Sequence, residues 1–592
     1  MIALRIVSFL LFFIYVILID LSSNRIAGLF LGSGVFIGFV TLNESRLLEG
    51  HTYLILLEWF ILFGLLALIY ILTLPKPKLV KAFNGNKKHG KPVSTEAGDF
   101  IGIFNDDRSV ELFAGIPYAK PPVGDLRFKE PQDPDKLKDS LICDTFGPMA
   151  MQKRSSNLKN NLVQFAGYHD YVWFDYANHY KYMMSEDCLY LNIWRPAGLK
   201  GDEKLPVIVY IHGGALQTGQ PWYDDYSGEN IAKENVIFVN FGYRLGVFGF
   251  LALKELQNES NKNTTGNYGI LDQIKALSWV RSNISAFGGD PSNITLAGES
   301  AGAASVCALM ASPQAKHLFA RTVLESSTLA SKVPAHSFRT FDDALASGRA
   351  VMERFYVKTV DELRKIPASQ LVKASETEHH ITVDGYLLTK SPYEMFKEGA
   401  FNGYPILHGF NEQEIVPFIM FDRANMRNFA AKVTSYFKEY AGEVLALYQP
   451  KNNAEARFFW EEIYGAVFFD YSHYCLNRLA VKNNMKIYEY FFTKDNKRIG
   501  CWHSGEQVYL YKNIPATSKL YNETDRALMV KMSQALVDYA REGDPAKNLP
   551  EWEPNEDSAS YLKFGNKIKM VRERKRKLAL YEILDKMQGF EL

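Results

Sequence analysis

Gly298-Glu299-Ser300-Ala301-Gly302 is the stretch from which the fold of this 592-residue chain is read. Residues 294–297, Ile-Thr-Leu-Ala, precede it as a short run of β-prone residues, and residues 301–310 follow as an Ala-rich, Pro-free run that predicts a helix. A serine on a turn between strand and helix, with glycine two residues before and two after, is the G-x-S-x-G pattern of a nucleophile elbow. The spacing has a steric cause. The serine takes a strained backbone conformation that lifts its hydroxyl off the sheet, and a side chain at either glycine would strike a neighbouring element. The helix that follows turns its N-terminus to the same place, where negative charge is favoured. Five residues of this kind also occur in ordinary Gly-bordered loops, so the weight falls on what surrounds them.

The composition is that of a globular protein, and a formal net charge of +1 argues against a nucleic-acid partner. The length suits several domains or one large α/β unit. The first 74 residues stand apart: 2–20, 26–42 and 52–74 are apolar stretches of about membrane-spanning length, joined by polar segments carrying Asn24-Arg25 and Asn43-Glu44-Ser45-Arg46. We expect three transmembrane helices rather than a cleaved signal peptide, because the first stretch lacks a small-x-small cleavage site and two more stretches follow. The middle one holds Gly28, Gly32, Gly34 and Gly38, which either let helices approach closely or are simply tolerated in lipid. Residues 75–92 turn polar, with Pro75, Pro77 and six lysines, and read as a basic linker. Three spans put Met1 and the rest of the chain on opposite faces. Arg25 and the six lysines then lie on the domain's side and Arg5 and Arg46 on the other, a count of seven against two. That bias favours a multi-pass membrane protein with a cytoplasmic domain. Sequon-like triplets at Asn258, Asn263, Asn283, Asn293 and Asn522 would instead suit a lumenal one.

From Val93 the text is globular. Residues 205–211 form a near-continuous apolar run, the mark of a strand buried on both faces, and end in His212-Gly213-Gly214-Ala215. Further strands are expected at 236–241, 294–297, 321–325, 404–408 and 485–492, with a helix at 270–284 whose Ile270, Ile274, Leu277 and Ile284 share one face. Strands alternating with helices predict a mostly parallel sheet covered on both sides, with functional groups on loops at the strands' carboxyl ends.

A serine hydroxyl needs a histidine to take its proton and an acid to orient that histidine. In this topology the chain order is serine, acid, histidine, which leaves His473 and His503 as bases. His503, in Cys501-Trp502-His503-Ser504-Gly505-Glu506 about ten residues past a β-like run, is the candidate. For the acid, residues 405–409 lead into Phe410-Asn411-Glu412-Gln413-Glu414, where two glutamates compete. Gly213 and Gly214 let a loop come close enough for its backbone N–H groups to face a developing oxyanion, with the N–H of Ala301 as a further donor.

From about Val93 to the end the chain resembles the type-B carboxylesterase family. The likeness is carried, in the family's order, by GIPYAKPPVG (115–124) with Leu126-Arg127-Phe128, SEDCLYLN (185–192), HGGA (212–215), YRLGVFGF (243–250), GNYGILDQ (266–273), FGGDPSNITLAGESAGA (287–303) and Val383-Asp384-Gly385. It implies an α/β-hydrolase fold, a mostly parallel central sheet flanked by helices, preceded here by about three transmembrane helices. It also implies a serine hydrolase that cleaves small-molecule or lipid-like esters through an acyl-enzyme, with Ser300, Glu414 and His503 as triad. No cofactor and no metal is expected. The family's register selects Glu414 over Glu412, makes Ser326 a support for the catalytic acid, and pairs Arg127 with Glu186 and Arg244 with Asp272. Glu299 reads as a buried scaffold charge. The family's disulfide partner of Cys188 is replaced by Ala150, Cys143 being the nearest substitute, and five unpatterned cysteines suggest few or no disulfides. The aromatic segment 151–184, with Phe165, Tyr168, Tyr171, Trp173, Phe174, Tyr176, Tyr180 and Tyr182, lies where the family borders its active-site gorge. The basic start of the last helix, Arg572-Glu573-Arg574-Lys575-Arg576-Lys577, reads as a solvated face. Two alternatives remain: a non-catalytic adhesion member of the family, and a hydrolase that prefers amides or thioesters.

Overall fold

A computed structural model describes residues 2–20, 25–44, 52–73, 77–85, 88–153, 182–332, 338–419, 422–495, 500–549, 552–556 and 559–592. Most of the aromatic segment 151–184 lies outside them. The chain divides into two units, Met1–Lys78 with Arg154–Met183, and Leu79–Lys153 with Met184–Leu592.

In the first unit, helices Ile2–Asp20, Arg25–Glu44 and Thr52–Leu72 occupy the three apolar stretches. Tyr15, Phe39, Leu62 and Leu66 pack between them, and the Tyr15 hydroxyl donates to Gly28 O at 2.6 Å. Gly32 serves close approach, since a Cβ there would fall 2.1 Å from the Tyr15 ring; Gly34 and Gly38 have nothing within 4 Å of such a position. That these helices span a membrane is not shown by the structure. Among the described residues no helix is long and apolar enough to cross a membrane. The middle helix is diluted by its glycines, Ser33 and Thr41.

The second unit is built on a 13-stranded sheet. Its middle runs Ile237–Phe241, Leu205–Ile211, Gly289–Glu299, Arg321–Glu325, Ile406–Asn411, Ile487–Phe492 and Ser560–Phe564, each parallel to the next. Antiparallel strands finish both edges, and the first of them starts at His89, inside the stretch read as linker. Every residue of 237–241, 406–411 and 487–492 is buried, as parallel strands covered on both faces must be. The helix Tyr268–Asn283 forms where the apolar stripe predicted it. Ala301–Ala311 buries all eleven of its residues, which is why it is almost wholly alanine and other apolar types.

Register brings the functional loops together. Gly298 pairs with Ile211, so Glu299-Ser300 and His212-Gly213 leave the sheet side by side. Glu325 pairs with both Glu299 and Gly409, which sets the end of the Ile406–Asn411 strand two strands away. That strand ends three residues beyond its expected limit, placing Asn411 at its carboxyl tip.

Candidate active site

Ser300 sits between the Gly289–Glu299 strand and the Ala301–Ala311 helix at φ 55°, ψ −124°, a region that only a tightly determined turn imposes on a serine. Both flanking glycines are required. A Cβ on Gly298 would meet Gly302 C at 2.6 Å, and one on Gly302 would meet Ile211 O at 2.1 Å. The turn is anchored by Ser300 N donating to Glu325 O at 2.8 Å.

The Ser300 hydroxyl lies 2.8 Å from His503 Nε2, and His503 Nδ1 lies 2.5 Å from Glu414 Oε2. The other Glu414 oxygen accepts from Asn411 N at 2.7 Å. Glu412 is exposed, whereas Glu414 is 1% exposed. Burial pushes Glu414 well above the usual carboxylate range, opposed by hydrogen bonds from Ser326 and the Asn411 backbone. Ser326 stands between two carboxylates: its hydroxyl donates to Glu506 Oε1 at 2.9 Å while stabilising Glu414 as well. Phe418 and Phe469 pack against the His503 ring at 5.3 and 5.0 Å, giving the base an apolar wall.

His212, by contrast, is structural. It is stacked on Tyr243, donates from Nδ1 to Gly213 O at 2.9 Å, and is driven down to about 4 by burial. His473 is buried against His408, Nδ1 to Nδ1 at 2.8 Å, away from the serine's hydrogen bonds.

Gly213 lies tight against the elbow; a Cβ there would fall 2.6 Å from Glu299 Oε2 and 3.0 Å from Ser300 Cβ. Gly214, Ala215 and Leu216 then take three consecutive left-handed positions, at φ 107°, 55° and 56°. Gly214 O accepts from Gln217 N and Thr218 N, closing the turn.

Three residues were missed or misjudged. Asn411 uses its side chain on Trp502 O at 2.8 Å and on Glu506, tying the acid's strand to the histidine's loop; its place at a strand tip was the available signal. Glu299 is more than scaffold: its Oε1 lies 3.3 Å from His503 Nε2 and accepts from Ser504 Oγ at 2.5 Å. Burial raises it to about 7, against the pull of His503. Glu506, raised to about 7 by burial and by Glu414, completes a buried acidic cluster with Glu325.

The expected ion pairs are present. Arg127 grips Glu186 at 2.5 and 2.6 Å, and Arg244 grips Asp272 at 2.7 and 2.8 Å, the latter pair almost fully buried. All five cysteines are free and buried. Cys188 and Ala150 line the same small cavity, where the family places a disulfide. Among the described residues no group of side chains could hold a metal ion.

A mostly parallel sheet with serine, histidine and glutamate converging at its carboxyl edge defines an α/β-hydrolase-type enzyme. The chain belongs to the carboxylesterase family, whose model matches residues 90–581. It is 28% identical to a fumonisin B1 esterase of Sphingopyxis macrogoltabida over 538 residues, 86% of this chain and 91% of the relative. It is 35% identical to a medium-chain fatty acyl-CoA hydrolase precursor of Anas platyrhynchos over 343 residues, 56% of this chain and 58% of the relative. The crystal structure of a Geobacillus stearothermophilus carboxylesterase superposes with a TM-score of 0.69 at 29% identity, covering 83% of this chain and all of the other. The protein is a carboxylic ester hydrolase, and the adhesion alternative is set aside.

Proposed function

We propose that the protein cleaves carboxylic esters by covalent catalysis at Ser300. The observation that carries this is the unbroken chain Ser300 Oγ–His503–Glu414, at 2.8 and 2.5 Å. Glu414 holds the Nδ1–H tautomer, leaving Nε2 to take the Ser300 proton as Oγ attacks the ester carbonyl. The tetrahedral oxyanion is met by backbone N–H groups of the Gly213–Gly214 loop and of Ala301 at the start of a helix. His503 returns its proton to the departing alkoxide, and an acyl-enzyme forms on Oγ. Water attacking the acyl carbon, deprotonated by the same nitrogen, releases the acid and restores the hydroxyl.

The apolar wall of Phe418 and Phe469 favours small-molecule or lipid-like esters. A thioester preference is the second reading, supported by the likeness to a fatty acyl-CoA hydrolase precursor. The test is the full-length protein assayed on esters and thioesters of matched, graded acyl chains, with an organophosphonate as a covalent probe. We expect the adduct on Ser300 and no turnover in Ser300→Ala; wild-type turnover in that variant would end the covalent mechanism.

We also propose that the N-terminal helices associate with a membrane and keep the catalytic domain on the cytoplasmic side. Large apolar side chains on them are outward-facing, Phe9, Phe13, Phe30, Phe60 and Leu72 among them. The excess of basic residues around Arg25 and in 75–92 supports the side. Release of the protein by alkaline carbonate, or glycans on the domain, would overturn this.

A further inference from the structure

The catalytic acid has a charged neighbour far along the chain. Glu414 lines a cavity of about 310 Å³ together with Asp470, Glu573 and Lys577, and neither Ser300 nor His503 reaches it. Lys577 belongs to the C-terminal helix Lys575–Gln588 and is 6% exposed. Its Nζ lies 2.5 Å from Asp470 Oδ2 and 3.4 Å from Glu573 Oε2, and 5.3 and 5.4 Å over the rings of Phe410 and Phe491. Two of these contacts lead to the site within one residue. Phe410 precedes Asn411, whose N–H bonds Glu414 and whose amide bonds Trp502 O beside His503. Asp470 follows Phe469, whose ring packs on His503.

We propose that Lys577 is a positioning residue for the Glu414–His503 pair: it neutralises Asp470, whose charge faces Glu414, and holds the two segments that frame acid and base. This rests on the triad described above. A lysine is taken out of water only at considerable cost unless paired, so its burial between a carboxylate pair and two aromatic faces is a specific arrangement. The groups facing Asp470 are Lys577, Glu573 and Glu462, the last held by Arg574 and Arg576. Those facing Lys577 are Asp470, Glu573, Glu489, Tyr448, Tyr561 and Tyr581. Glu414 faces His503, the Ser326 hydroxyl, Glu506, Glu299, Tyr490 and Asp470. Removing the ammonium leaves the charge of Asp470 uncompensated beside Glu414. That disfavours the Glu414 anion, the form that orients His503, as pH falls.

The test compares the full-length wild type with Lys577→Met, Lys577→Arg, Asp470→Asn and Asp470→Asn/Lys577→Met. The readouts are the pH dependence of kcat/KM on a p-nitrophenyl ester and the thermal unfolding midpoint. We expect Lys577→Met to move the acid limb upward by roughly half a pH unit or more and Lys577→Arg to move it less. The double variant should bring the limb back to its wild-type position even if its thermal midpoint stays low, which a purely structural lysine would not do. Should Lys577→Met not fold, Asp470→Asn against the double variant reads the same lysine charge, with the limb lower in the single. A wild-type limb in Lys577→Met, a double variant still shifted, or equal limbs in that second comparison would overturn the proposal. Failure of the triad itself would show separately, as turnover retained in Ser300→Ala.

Discussion

Replacing Gly302 by alanine tests whether the elbow works through packing. The glycine begins the Ala301–Ala311 helix, and an added Cβ would stand 2.1 Å from Ile211 O, 2.9 Å from Ile211 C and 3.1 Å from His212 C. A carbon approaches a carbonyl oxygen no closer than about 3.3 Å, so helix and strand must part by roughly 1 Å. Neither can move alone. The helix start carries Ser300 Oγ and the Ala301 N–H, and the strand Leu205–Ile211 carries the Gly213–Gly214 loop, so the shift opens the gap that an oxyanion would fill. A misplacement of that size costs about 10²-fold in rate, and loss of one oxyanion donor costs about 10²–10³. Overpacking adds about 1–3 kcal/mol of destabilisation. The assay is steady-state hydrolysis of a p-nitrophenyl ester, with organophosphonate titration counting folded sites and thermal unfolding measuring stability. Gly442→Ala is the control, since a Cβ there has nothing within 4 Å and it lies in the helix Ala441–Leu447. We expect kcat to fall about 10²-fold per titrated site while Gly442→Ala stays at wild type. A Gly302→Ala enzyme within about threefold of wild type would refute the steric account of the motif.

Glu414→Gln should lower kcat by about 10⁴, by holding the wrong tautomer of His503, while the exposed Glu412→Gln stays near wild type; steady-state kinetics showing the reverse would move the acid. Asp272→Asn should leave the Arg244 guanidinium buried without a counter-charge and cost about 3–5 kcal/mol, read as a lowered unfolding midpoint. His408, held to about 4 by burial, binds a proton in the unfolded chain from its ordinary 6.5 downward but not in the native one. Native stability is therefore whole above pH 6.5 and drains as pH falls toward 4, by about 3 kcal/mol. Denaturant titrations of His408→Gln against wild type at several pH values should show that slope reduced, and parallel curves would contradict it. The comparison must be between the two proteins, because Glu299 and Glu506, raised to about 7, lose native-state stability in the opposite direction, as pH rises.

What the sequence made legible was whatever is local or carried by a rigid motif. The elbow, the buried strand Leu205–Ile211 and the helix Tyr268–Asn283 are set by steric need and by apolar period. The choice of Glu414 needed the family's register, because two glutamates two residues apart read alike until the fold buries Glu414 and leaves Glu412 exposed. Asn411 and Lys577 were out of reach. Their parts depend on contacts between segments distant in the chain, such as Lys577 with Asp470 and Phe410, which no local pattern encodes. The three apolar stretches were located correctly as helices, but apolar content alone did not establish that they cross a bilayer.

The acidic cluster beneath the serine bears on how the histidine works. When Oγ attacks, the proton arrives on His503 Nε2, and the resulting imidazolium has Glu414 on Nδ1 at 2.5 Å and Glu299 beside Nε2 at 3.3 Å. In the resting state Glu299 does not compete for that nitrogen: its Oε1 is already held by Ser504 Oγ at 2.5 Å, and 3.3 Å is long beside the 2.8 Å bond to Ser300. The interaction therefore grows only as charge develops on the ring, which is the condition for lowering a barrier rather than tightening the resting state. Four carboxylates, Glu299, Glu325, Glu414 and Glu506, share this buried region, and burial pushes each of them upward. Like charges so placed are not all ionised together at neutral pH. Ionisation is best kept by Glu414, which receives the His503 Nδ1–H, the Asn411 N–H and the influence of Ser326. Burial lifts Glu325 well above the usual carboxylate range, opposed by the Tyr511 hydroxyl that donates to it.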